Sequence, residues 1–181
     1  IVLASSFLTA SEVNVYSHRH YDSDKILFKK FEETTGIKVN IVTAKAEELV
    51  SKLAIEGENT PADVLITADI GNLHEAKSRN LLQTIDSNTL NTNIPAHLRD
   101  ANKEWFALTK RARIFVYNPE KINEADLSDY LSLTNPKLKD KIITRSSTNA
   151  YNKALLASII ANHGEAKALE FTKGLVANFA R

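Results

Sequence analysis

EVNVY (residues 12–16), IKVNIV (37–42) and ADVLIT (62–67) are three β-type runs, and each gap between them holds a helix-type run. The first two alternate apolar with polar residues and are rich in β-branched or aromatic side chains, the period of a strand. The third is continuously apolar, which predicts a strand buried on both faces. Between the first and second, Lys25 to Thr35 places Leu27, Phe28 and Phe31 on one helical face, and Gly36 supplies a stop. Between the second and third, Glu47 to Glu56 sets Leu49, Val50, Leu53 and Ala54 in a helical stripe closed by Gly57. Strand, helix, strand, helix, strand predicts an α/β fold with a mostly parallel sheet and crossover helices.

Outward from that core the pattern loosens. Leu73 to Asn80 reads as a helix and Ser87 to Asp100 as a polar connection. Trp105 to Leu108 and Arg113 to Tyr117 read as strands, broken by Asn118-Pro119-Glu120. A short helix is expected over Leu127 to Leu133, ended by Asn135-Pro136, and a short strand over Ile142 to Thr144. Ala150 to Asn162 is a helix stopped at Gly164, and a last helix runs from about Glu165 to Asn178. The layout predicts a first α/β lobe over 12–104, crossing strands over 105–117 and a partial second α/β lobe over 118–181.

The totals exclude several classes. With 43% hydrophobic and 25% charged residues the chain is neither disordered nor a membrane span. Its 23 basic and 22 acidic side chains leave a net charge of +1, so no nucleic acid is expected as a partner. The absence of Cys removes disulfides, zinc-thiolate sites, iron–sulfur clusters and thiol nucleophiles, and suits an exported protein. There is no Met either, so Ile1 is expected not to be the start of translation. Residues 1–11, apolar without period and ending in small residues, read as the remnant of a signal peptide, with a short buried element as the alternative.

Open α/β sheets bind ligands at the carboxyl ends of their strands, which selects the loops Ser17 to Asp24, Thr67 to Asn72 and Arg145 to Tyr151. In the first, His18, His20, Tyr16, Tyr21 and Asp22 offer nitrogen and hard oxygen donors. Phenolate is a hard anion suited to Fe(III), and it ligates at neutral pH only where a strongly charged cation displaces its proton. A solvated polar loop is the alternative. In the third loop Ser146 and Ser147 precede a helix start, where side-chain oxygens cap and exposed amides hold anions. Tyr151 falls in the first helical turn, facing either core or cleft. Arg111 and Arg113 could pair with an anion or donate to a phenolate, or form surface salt bridges. No phosphate loop, nucleophile elbow or H-E-x-x-H pair is present, so the chain is not read as an enzyme.

Longer motifs narrow this. Val15 to Asp24 (VYSHRHYDSD), Phe31 to Val39 (FEETTGIKV), Pro61 to Leu65 (PADVL), Leu108 to Tyr117 (LTKRARIFVY), Arg145 to Asn152 (RSSTNAYN) and Lys173 to Arg181 (KGLVANFAR) resemble the periplasmic ferric-ion-binding proteins of iron ABC transporters. The likeness is to the branch that binds iron through several tyrosines without an obligatory carbonate. The resemblance implies a two-lobed type II periplasmic binding architecture, incomplete at its C-terminal end. It implies periplasmic capture of Fe(III), with Fe(II) as the alternative state, and delivery to an inner-membrane ABC permease. It places iron ligands at Tyr21 and Tyr151, an additional one at His20, and Arg111 beside the iron. The tyrosine pair that such proteins carry further on has no counterpart here, since Tyr-Tyr occurs nowhere in the chain. Two ligands are therefore expected to be missing, and open sheet edges are expected to favour a dimer or an element swap. The competing expectations are another small solute, anion or organic cation, on the same fold, and a metal-dependent or hydrolytic enzyme.

Overall fold

In the computed structural model, residues 12–19 and 21–180 are described; residues 1–11, His20 and Arg181 lie outside the described residues, and with them the segment expected to be a signal-peptide remnant. The chain divides into two units, one ending at Leu108 and one beginning at Thr109.

The first unit is built on three parallel strands, β1 (Glu12–Ser17), β2 (Lys38–Thr43) and β3 (Val64–Ile66), in the order β2-β1-β3. Val15 of β1 lies opposite Ile41 of β2 and Val64 of β3, so β1 is the central strand. Accordingly Val15, Tyr16 and Ser17 are its buried residues. Helix α1 (Asp22–Thr35) joins β1 to β2, and α2 (Ala46–Glu56) joins β2 to β3. The glycine stops act as read: Gly36, at φ 72°, takes the left-handed conformation and donates to the Glu32 carbonyl at 2.8 Å. Leu49 and Leu53 of α2 pack on Tyr16, with Ala44, Ala62, Leu65 and Leu81 around them. Buried Tyr16 does not leave its hydroxyl unpaired: it donates to Glu56, which also pairs with Lys52 at 2.6 Å and accepts from Thr60.

Two expectations need correction here. The run 62–67 is not a strand buried on both faces; only Val64–Ile66 pairs, and Val64 is 42% exposed. It has a partner on the β1 side alone among the described residues, and its apolar run does not reflect two-sided burial. The stripe of α1 is also largely uncovered: Leu27 and Phe31 are exposed, with Ile26 beside them, and Phe28 is half-buried.

Helices α3 (Ile70–Ser78) and α4 (Asn88–Asn93) follow, capped by Asp69 and Ser87. A turn over 99–106 closes the unit through an antiparallel bridge between Arg99 and Phe106, clasped by Lys77 on Asp100 at 2.6 Å and Glu104 at 3.3 Å.

The second unit consists mainly of short 3₁₀ turns and one long, interrupted helical run. The crossing strands expected over 105–117 do not form beyond that single bridge at Phe106. A strand exists only through a partner's hydrogen bonds, and no partner lies beside 113–117 among the described residues; Ile114 and Val116 are 72% and 91% exposed. The strand at Ile142 to Thr144 likewise reduces to one parallel bridge, Ile142 to Phe179. The helix expected over 127–133 is a 3₁₀ turn at Leu131–Thr134, with another at Pro136–Leu138 beyond Asn135. The two expected helices form and together make the helical run α5 (Ala150–Ala177), interrupted between them at Gly164, whose φ of 80° and ψ of 165° are non-helical. Ile159, Ala168 and Phe171 form its core against Tyr130, Leu131, Leu133, Leu155 and Leu175. Asn178, at the end of α5, is buried and donates through Nδ2 to the carbonyls of Leu133 and Asn135, each at 2.8 Å. No described helix is long and apolar enough to cross a membrane.

Candidate metal centre

Because β1 and β3 run parallel, the loops after Ser17 and Ile66 leave the same edge of the sheet. The first of these carries the Tyr21 segment. His18 extends the ladder by one bond, its amide donating to the Ile66 carbonyl at 2.9 Å. The chain then folds back on Ser17, whose Oγ accepts from the Arg19 amide at 3.1 Å. Arg19 grips buried Asp24 through Nε and Nη2 at 2.9 to 3.2 Å, tying the loop to the first turn of α1. Tyr21 sits between them as the extended residue that precedes α1, 40% exposed, with the Arg19 guanidinium 5.3 Å from its ring centroid. His20 lies outside the described residues. The second loop is committed to capping: Asp69 Oδ1 accepts from Gly71 N at 2.7 Å, and a Cβ on Gly71 would lie 2.8 Å from that oxygen.

In the second unit the loop Arg145 to Asn149 leads into α5. Its cap is Asn149, whose Oδ1 accepts from the Tyr151 amide at 3.0 Å. Ser146 and Ser147, read from sequence as the helix-start residues, stand too early for that role. Ser146 Oγ instead meets Thr148 Oγ1 at 3.0 Å and accepts from the Thr148 amide, and Ser147 is exposed. Tyr151 is half-buried yet outside the apolar core of this unit. Its hydroxyl is 3.3 Å from Nη1 of Arg111, Nη2 of Arg113 donates to its carbonyl, and the Arg145 guanidinium lies 5.2 Å from its ring centroid. Asn152 fastens the incoming loop, donating to the carbonyls of Arg145 at 2.5 Å and Ser146 at 3.3 Å. Tyr151 thus has one guanidinium at its hydroxyl, a second at its carbonyl and a third beside its ring. Among the described residues no three His, Asp or Glu side chains cluster as a metal site.

Residues 18–146 match the family model of the bacterial extracellular solute-binding proteins. The chain belongs to that family. Its architecture is that of the type II periplasmic binding proteins, of which it carries part. Iron uptake protein A1 of Synechocystis sp. is 46% identical over 170 residues, covering 94% of this chain and 47% of that protein. Among solved structures, a ferric binding protein from Campylobacter jejuni superposes with a TM-score of 0.88 at 52% identity, over 93% of this chain and 54% of the other. A Trichodesmium protein in complex with iron and citrate ligands gives 0.87 at 46%, over 94% and 54%. The chain spans about half the length of the curated relatives it matches.

For a solute-binding chain of this kind, sequence reading brought forward Tyr21, Tyr151 and Arg111, and the structure joins the last two directly. It did not find Arg19, Arg145, Asn149 or Asn152. Arg19 and Arg145 stand in the same loops as the tyrosines, but their stacking depends on how each loop folds back, which linear spacing does not reveal. An Asn one residue before the first helical position was the available signal for the cap.

Proposed function

We propose that this chain is part of an extracytoplasmic protein that captures ferric iron and hands it to an inner-membrane ABC permease, reaching the periplasm through a signal peptide. It acts as a carrier and not an enzyme. Tyr21 and Tyr151, with His20, are its own iron ligands, and Arg111 donates to the Tyr151 oxygen. The observation that carries the reading is Tyr151: a phenol held out of the core and against arginine, at a helix start, in a chain 46% identical to a protein named for iron uptake and 52% identical to one named for ferric binding. Fe(III), a hard and highly charged cation, displaces phenol protons that otherwise leave only near pH 10. Three protein donors leave coordination positions open to water, an anion or further protein groups.

Titrating the purified chain with ferric citrate tests this. A visible tyrosinate-to-iron charge-transfer band is expected, lost in Tyr151→Phe and weakened in Tyr21→Phe. No band at any iron concentration would refute the iron reading and favour another small anion or organic cation. The same reading includes pairing with a second copy, supported by the outer edges of β2 and β3, which have no partner among the described residues. Sedimentation should give a concentration-dependent dimer; a monomer at all concentrations would refute it.

A further inference from the structure

Tyr21 and Tyr151 lie in different units on unrelated stretches of chain, yet they are built alike. Tyr21 directly precedes α1, and Tyr151 is the second residue of α5. Over each ring lies a guanidinium from the loop that enters the helix, Arg19 at 5.3 Å and Arg145 at 5.2 Å from the centroid. In each case a side chain also fastens the arginine's own backbone. Ser17 Oγ accepts from the Arg19 amide, and Asn152 Nδ2 donates to the Arg145 carbonyl.

Cation–π contacts occur about once per 70–80 residues, so a chain of this length should hold about two by chance. Their number therefore carries nothing; their position does. Among the described residues the two arginine contacts fall on the phenols proposed as ligands, whereas a lysine contact, Lys52 at 5.6 Å from the ring of buried Tyr16, does not.

We infer that Arg19 and Arg145 are positioning residues for the two phenolate ligands. This inference rests on the reading that Tyr21 and Tyr151 bind iron. A cation is attracted by the electron-rich face of an aromatic ring, and the attraction grows when the ring becomes a phenolate. Each arginine therefore restricts the ring of its tyrosine to one orientation. Arginine suits the task better than lysine because its planar group stacks and keeps its charge at every relevant pH.

The two differ in one respect. Arg19 is neutralised by its bidentate pair with Asp24, so it orients Tyr21 while adding little charge that would repel a metal ion. Arg145 is exposed and anchored through its backbone, so its charge acts on Tyr151 more directly.

The test uses Arg145→Ala and Arg19→Lys in this chain. The lysine keeps a cation for Asp24 and removes only the planar face. Both variants should retain the parent's far-ultraviolet circular dichroism and hold iron about two- to fivefold less tightly against a competing chelator. In Arg145→Ala the charge-transfer band should also move to longer wavelength. A phenolate without the cation gives up its electron at lower energy, and a merely structural role would not move that band. Arg145→Lys should restore part of both effects. In the iron-free chain, the Arg145 side-chain protons should show an upfield NMR shift from the Tyr151 ring, abolished in Tyr151→Ala.

No band in the parent chain removes the iron reading, and this inference with it. A band lost in Tyr151→Phe but unmoved in Arg145→Ala, with iron retention unchanged in both arginine variants, overturns this inference alone. Absence of the upfield shift in the iron-free chain overturns the stacking at Tyr151 independently of iron.

Discussion

Replacing Asn178 by alanine removes the side chain that holds the end of α5 to the 3₁₀ turns beneath it. Asn178 is 3% exposed, and both protons of its Nδ2 are used, on the carbonyls of Leu133 and Asn135 at 2.8 Å each. Its own carbonyl accepts from the amides of Lys141 at 3.3 Å and Ile142 at 3.1 Å, contacts that alanine leaves in place. The change therefore isolates two side-chain hydrogen bonds. A net loss of about 0.5–1.5 kcal/mol per bond is the lower bound, and stranding two acceptors in a site that excludes water raises the cost to about 2–4 kcal/mol. With a urea slope of about 2 kcal/mol/M, the midpoint for the second unit should fall by about 1–2 M. Urea unfolding followed by circular dichroism measures this as the part of the transition that shifts between parent and variant, the helical signal of that unit coming from α5. Asn178→Asp should cost at least as much, because a carboxylate facing two carbonyls replaces donation with repulsion. A loss below about 0.5 kcal/mol in the alanine variant would show that water or a local shift satisfies both carbonyls, and would refute the staple.

Gly174→Ala should destabilise the same unit by about 1–3 kcal/mol, because a Cβ there lies 2.7 Å from the Cβ of Thr134. Thr134→Ala should not rescue it in thermal melts, since alanine keeps the offending carbon. In the first unit, Leu49→Ala should cost about 2–5 kcal/mol by chemical denaturation, as Leu49 is fully buried against Tyr16 and Leu53. Lys52 holds the Glu56 carboxyl below its ordinary range, and Lys77 does the same for Asp100. Groups depressed in the folded state contribute stability that is fully present above their unfolded pKa of about 4 and is lost as pH falls through the lower folded values. Melting temperature should therefore drop from about pH 4 downward, and less steeply in Glu56→Gln.

The helices were legible in the residues because a helix closes its hydrogen bonds within a few positions. Gly36, Gly57 and Gly164 end their helices as read, Gly164 with a positive φ that interrupts the run α5. Strands were legible only where a partner also exists. The runs at 12–16 and 37–42 pair and form β1 and β2, whereas 113–117 has the same β-type composition and forms no ladder. The α1 stripe shows the same limit for burial: Leu27 and Phe31 have the right period, but covering them needs a neighbour.

The tyrosine loops opened the site from sequence, since Tyr21 and Tyr151 each stand where a loop enters a helix. By itself the sequence determined the parallel α/β order of the first unit, the helix stops and the ligand chemistry on offer, because these depend on local period and residue type. Only the tertiary structure decided that Asn149 and not Ser146 caps α5, that Arg111 meets the Tyr151 hydroxyl, and that Arg19 and Arg145 lie over the two rings. Such contacts depend on how a loop folds back on its helix or on segments as far apart as residues 111 and 151, and the spacing of residues along a chain does not encode them directly.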